Sequence, residues 1–153
     1  MMNRYVLLSF DVEEFDMPLE YGFPISVAEQ MLAGKKGLDA IQPILGDASI
    51  AATLFTTANF AMRYPNDIRF LSDTHEIASH TFYHSVFEEA HLPESKNKLQ
   101  EITGKIITGL RMPRMREVSV TAVQKAGYTY DSSINPTYLP CRYNNFHLPR
   151  TIY

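Results

Sequence analysis

Short apolar runs alternating with helix-length segments constrain this chain more than any other feature. Residues 5–10 form a compact apolar run ending in acids, which reads as a buried strand. Residues 51–57, rich in Thr, Leu and Phe, read as a second strand, 76–79 as a third, 110–112 as a fourth and 128–133 as a fifth. Between them, a helix is predicted over residues 27–45. Ser26 and Glu29 are spaced for a capping box at its start, and Gly34 and Gly37 are points where it can be interrupted. A second helix is predicted over 59–71 with a break at Pro65. A third, over 93–108, turns Leu99, Ile102, Ile106 and Ile107 to one buried face. A fourth covers 118–126 and ends at Gly127. Strands alternating with helices mean βαβ units and a parallel sheet. The segment from Pro136 to Tyr153 is rich in Pro, Asn and Tyr and finishes as another strand begins. Five or six parallel strands with an unpaired edge read as a chain cut short.

A length of 153 residues, without repeat or linker, suits one domain over 1–153. Hydrophobic residues at 45% and charged residues at 20% are ordinary for a globular chain and exclude disorder throughout. The formal charge of −3 and the absence of a dense Lys/Arg run argue against nucleic acid as a partner. The single cysteine, Cys141, allows no intrachain disulfide and is a poor start for a thiolate metal site. The short apolar run near the N-terminus has no cleavage site behind it, so no signal peptide is expected. No stretch suggests a membrane span, and a cytoplasmic location is expected.

Polar residues gather where the predicted strands end, the place where active sites form in parallel α/β folds. In Asp11-Val12-Glu13-Glu14, strand alternation sends Asp11 and Glu13 to one side and Val12 to the other. Two close carboxylates repel unless a cation or shared proton lies between them. His80 and His84 are four apart, so a helical turn would bring both imidazoles to one face. Two nitrogens and a carboxylate suit Zn²⁺ or another borderline metal. Arg111, just past a strand, is placed to hold a carboxylate in a bidentate contact. Asp131 is placed to orient an Arg or substrate hydroxyls. Each cluster alone has a plain explanation: loop-capping acids, a surface histidine pair, a surface salt bridge, turn chemistry. His75 precedes its strand and falls at the other end.

In order along the chain, these clusters resemble the motifs of the polysaccharide deacetylase family, the NodB-homology or carbohydrate esterase family 4 group. Ser9-Phe10-Asp11 is similar to its first motif, His80-Thr81-Phe82-Tyr83-His84 to its histidine motif, and Arg111-Met112-Pro113 to its Arg-x-Pro motif. Ala126-Gly127-Tyr128 and Tyr130-Asp131-Ser132-Ser133 are similar to the next stretch. The resemblance implies a distorted (β/α)7 barrel of which this chain holds the first five or six strands. It implies that His80 and His84 bind a divalent metal (Zn²⁺, with Co²⁺, Ni²⁺ or Fe²⁺ as alternatives), that Asp11 is the general base and that Arg111 tethers Asp11. Asp131 joins them in the catalytic set, and Tyr83 and Pro113 would contact substrate, with a backbone N–H near Tyr83 on the oxyanion.

The chain departs from the family twice. Val12 stands where the family carries a second, metal-binding aspartate. Glu13 is the best replacement ligand because it shares Asp11's side of the strand, and Glu14 is the second choice. The family's late histidine, its general acid, would fall beyond Tyr153, and His147 comes too early to replace it. The implied reaction is metal-assisted removal of acetyl groups from an acetylated glycan or amino sugar, with weak or no activity expected of residues 1–153 alone. The rival readings are a glycan- or metal-binding pseudoenzyme and a related amidohydrolase acting on a small amide.

Overall fold

The computed structural model describes residues 6–141 and 143–147. Five parallel strands, β1 (Leu8–Val12), β2 (Ala52–Thr56), β3 (Glu76–Ser79), β4 (Gly109–Leu110) and β5 (Tyr130–Asp131), lie side by side in chain order. The crossovers carry α1 (Met17–Glu20) and α2 (Val27–Leu45), then α3 (Ala58–Arg63) and α4 (Pro65–Leu71), then α5 (His91–Thr103), then α6 (Val120–Lys125). A two-stranded antiparallel sheet, β6 (Tyr138–Leu139) with β7 (Tyr143–Asn144), follows. That pair is not among the strands expected from the sequence. The strand expected to begin at the C-terminus lies mostly outside the described residues.

Strand alternation divides the sheet into two unlike faces. Val12, Leu54, Ile77 and Leu110 enter the core with Met31 and Leu38 of α2, Phe60 of α3, Ile68 of α4 and Leu99 of α5. Burying one such side chain contributes roughly 1.5–3 kcal/mol, so this layer holds the strands together. By register, Ser9 and Asp11, Thr53 and Phe55, and Glu76 and Ala78 share the other face. On it, Tyr130 Oη donates to Glu76 Oε1 at 2.8 Å and Thr53 Oγ1 donates to Glu76 Oε2 at 2.7 Å. Burial, with the neighbouring Glu76 carboxylate, pushes the Tyr130 hydroxyl above the ordinary tyrosine range and keeps it a donor. A Cβ on Gly109 would stand 2.1 Å from the Tyr130 ring, so this crossing requires glycine.

The α2 helix starts at the expected capping box and runs through both glycines without interruption. Gly34 serves a different purpose: a Cβ there would lie 2.1 Å from the carbonyl oxygen of Glu13. The bare helix surface is what allows α2 to rest against the chain leaving β1. Pro65 divides α3 from α4 as expected. The third predicted helix is overlong. Gly104 adopts φ +69° and ends α5, which leaves Ile106 81% exposed instead of on the buried face.

Candidate metal centre

The acids come from β1 and the loop after it. Asp11 lies on the face away from the helices, and Arg111, one residue past β4, reaches it. Arg111 Nη1 donates to Asp11 Oδ1 at 2.8 Å, while Nη2 donates to the hydroxyls of Ser9 and Ser132, each at 3.0 Å. The expected bidentate grip is therefore a single prong, because the second nitrogen is shared between two serines. The guanidinium carbon stands 4.0 Å from the centre of the Phe55 ring, close enough for an aromatic face to support the cation.

Residues 80–84 do not form the predicted helical turn. Thr81 has φ +61°, and the N–H of His84, which would close such a turn on the His80 carbonyl, bonds to Glu14 Oε1 instead. The N–H groups of Ala58 and Asn59, in the first turn of α3, bond to Thr81 O and Phe82 O at 3.0 and 2.9 Å. Ser95 Oγ also donates to Thr81 O at 2.8 Å. The loop nevertheless brings the imidazoles together, with ring centres 5.9 Å apart and planes at 24°.

Each imidazole is held through Nδ1. That of His80 donates to the carbonyl of Arg111 at 2.8 Å, and that of His84 donates to Asp16 Oδ1 at 2.6 Å. In the neutral ring with its proton on Nδ1, Nε2 presents a lone pair, and both Nε2 atoms face Glu13. Glu13 Oε2 is 3.0 Å from His80 Nε2, and Oε1 is 3.5 Å from His84 Nε2. Glu13 Oε2 is buried and has no hydrogen-bond partner among the described residues. A carboxylate oxygen facing a nitrogen lone pair without a hydrogen between them is a repulsive arrangement that a cation would relieve. Glu13, His80 and His84 are the one group among the described residues able to hold a metal ion, with ligand atoms all within 4.8 Å of one another. Two imidazole nitrogens and one carboxylate oxygen fit Zn²⁺ and its neighbours with a coordination position left open.

Glu14 is turned elsewhere. Buried beneath the loop, it accepts from Thr57 Oγ1 at 2.7 Å, Asn59 Nδ2 at 3.0 Å and the backbone N–H of His84 at 3.2 Å. Its donors tie β1, α3 and the histidine loop together. Asp131 accepts from the backbone N–H of Ser133 at 2.8 Å and from its hydroxyl, which is turn chemistry. Ser132, rather than Asp131, supplies this segment's contact to Arg111. Tyr83 is 39% exposed, with its ring centre 5.4 Å from that of His91, and Pro113 is buried at the start of a 3₁₀ turn, Pro113–Met115.

A cleft of about 230 Å³ opens over Asp11, Glu13, His80 and His84, walled by Phe15, Tyr21 and Arg114. Its aromatics, Phe15 and Tyr21, come from the segment between β1 and α2. Sequence reasoning missed Asp16, Arg114, Phe55, Ser9 and Ser132 as parts of the site. Ser9 and Ser132 lie inside the motifs quoted above, whereas Asp16 lies in a loop and Arg114 in a short 3₁₀ turn, neither of which carries a periodicity.

The family profile described as polysaccharide deacetylase matches residues 3–130. The chain belongs to the polysaccharide deacetylase family. Among curated proteins, none matches significantly. Among solved structures, the chain is similar to a protein from Mycobacterium smegmatis described as a polysaccharide deacetylase, at 23% identity and TM-score 0.63, covering 82% of this chain and 49% of that one. A family 4 carbohydrate esterase from Streptomyces lividans, solved with acetate, is 20% identical at TM-score 0.54 over 86% and 62%. A family 4 carbohydrate esterase from Bacillus anthracis is 18% identical at TM-score 0.55 over 82% and 56%. The chain thus spans about half the length of the structures it matches. The expected fold class stands: α/β, with five parallel strands forming part of the deacetylase barrel. Among the described residues no helix is long and apolar enough to cross a membrane.

Proposed function

We propose that this chain carries the metal centre of a deacetylase that hydrolyses acetyl groups, N-linked or O-linked, from a sugar or polysaccharide. The observation that carries the reading is the convergence of Glu13, His80 and His84 beside the Asp11–Arg111 pair. Zn²⁺ is the metal the donor set favours. When bound, a divalent cation supplies a Lewis acid for the acetyl carbonyl and lowers the pKa of water.

The protein's own groups would do the rest. His80, His84 and Glu13 hold the ion, and Asp11 takes the proton of the attacking water. Arg111, fixed by Ser9, Ser132 and the Phe55 ring, keeps the Asp11 carboxylate aimed into the cleft. The exposed rings of Phe15 and Tyr21 on the cleft wall offer apolar faces to a sugar ring, which supports a glycan over a small amide.

The test is acetate release from N-acetylated chitooligosaccharide and from an O-acetylated glycan by the full-length protein loaded with Zn²⁺. Turnover that Asp11→Asn and His80→Ala both abolish is expected. Zn²⁺ binding without turnover on any acetylated glycan would make the protein a binding protein, and turnover confined to a small amide would reassign the substrate.

A further inference from the structure

The two imidazoles are anchored by unlike partners. His80 leans on a main-chain carbonyl, whose place is fixed by β4. His84 leans on Asp16, a side chain only 5% exposed that lies in a loop and needs support of its own. That support comes from the Ser85 hydroxyl, which donates to Asp16 Oδ2, and from Arg114, whose Nη2 lies 3.5 Å from Asp16 Oδ1. Arg114 also pairs with Glu20 and donates to Ser85 Oγ at 3.2 Å. It sits in left-handed backbone, φ +58°, followed by Met115 at φ +53°. Left-handed backbone is unfavourable for a non-glycine residue, and two in succession mark a segment that its surroundings hold in place. The product of that strain is a guanidinium delivered to the cleft wall against Asp16.

We propose that Asp16 is a positioning residue for the metal centre: its carboxylate fixes the His84 ring and tautomer so that Nε2 faces Glu13, and Ser85 and Arg114 hold that carboxylate in place. The inference rests on the metal reading given above. A carboxylate hydrogen-bonded to the remote nitrogen of a ligating imidazole orients it and makes it a stronger donor, and loss of such a partner costs about 10–100-fold in metal affinity. The centre is therefore asymmetric. The His80 side is set by backbone, and the His84 side depends on a replaceable acid.

The test is Zn²⁺ affinity by chelator competition, together with the visible absorption of the Co²⁺-substituted protein, for wild type, Asp16→Ala, Asp16→Asn and His80→Ala. Circular dichroism on each metal-free protein reports whether it folds. Asp16→Ala is expected to weaken Zn²⁺ binding about 10–100-fold and to change the Co²⁺ spectrum. Asp16→Asn, isosteric and the variant to rely on should Asp16→Ala not fold, is expected to lose about tenfold, because an amide is a weaker acceptor than a carboxylate. Wild-type affinity and an unchanged Co²⁺ spectrum in folded Asp16→Asn, with binding lost in His80→Ala, overturn the proposal and leave the metal reading standing. Undiminished binding in His80→Ala overturns both.

Discussion

The two ends of β3 carry histidines that look alike in sequence and differ in every contact. At the start of the strand, buried His75 uses both ring nitrogens on the backbone: Nε2 donates to Leu45 O at 2.9 Å, and Nδ1 accepts from the N–H of Ala52 at 3.3 Å. It closes the gap between the end of α2 and the start of β2. Past the other end, His80 and His84 commit one nitrogen each and turn the other towards Glu13. A histidine whose nitrogens both meet protein groups is part of the frame. One that keeps a ring nitrogen turned towards a half-buried carboxylate has a different set of contacts, and on the reading proposed above those contacts serve a metal ion.

This contrast can be broken by mutation. The largest effect is expected from His80→Ala, which should lower Zn²⁺ affinity more than about a hundredfold, beyond the cost of losing a supporting residue. Chelator competition measures it, with circular dichroism of the metal-free protein as the check on folding. Gly34→Ala comes next: the added methyl meets Glu13 O, so denaturation should show a loss of about 1–3 kcal/mol, with Zn²⁺ affinity falling as Glu13 is displaced. His75→Ala reverses the pattern. Stripping partners from two buried backbone groups should cost about 1–3 kcal/mol while Zn²⁺ affinity stays at the wild-type value. Reduced Zn²⁺ affinity in a folded His75→Ala protein would erase the distinction between the two ends. The smallest effect belongs to Ser26→Ala, which removes the α2 cap, far along the chain from either histidine group. A loss of about 1 kcal/mol in thermal or urea unfolding is expected, without change in metal binding.

Much of this was legible in the residues. The capping box at Ser26, the helix break at Pro65 and the third strand were set by local chemistry that needs no partner to act. The alternation that put Asp11 and Glu13 on one side of a strand also proved informative, since the structure turns Glu13 to the imidazoles and Glu14 into the scaffold. What the residues hid was tertiary. A spacing of four between His80 and His84 suggests a helix, but Glu14 takes the His84 N–H that would close the turn, and the N-terminus of α3 holds the loop by its Thr81 and Phe82 carbonyls. Gly34 looked like a weak point in a helix because nothing local reveals what passes over it. Asp16 and Arg114 sit 98 positions apart and meet only after four strands are in place.

The contact at Gly34 has a mechanical consequence. Side chains that touch can yield by rotating about their χ angles, but a helix backbone pressed on a carbonyl has no such freedom. Glu13 therefore inherits the stiffness of a rod 19 residues long, and any tilt of that rod would be felt as a change in how far its carboxylate reaches towards His80 and His84.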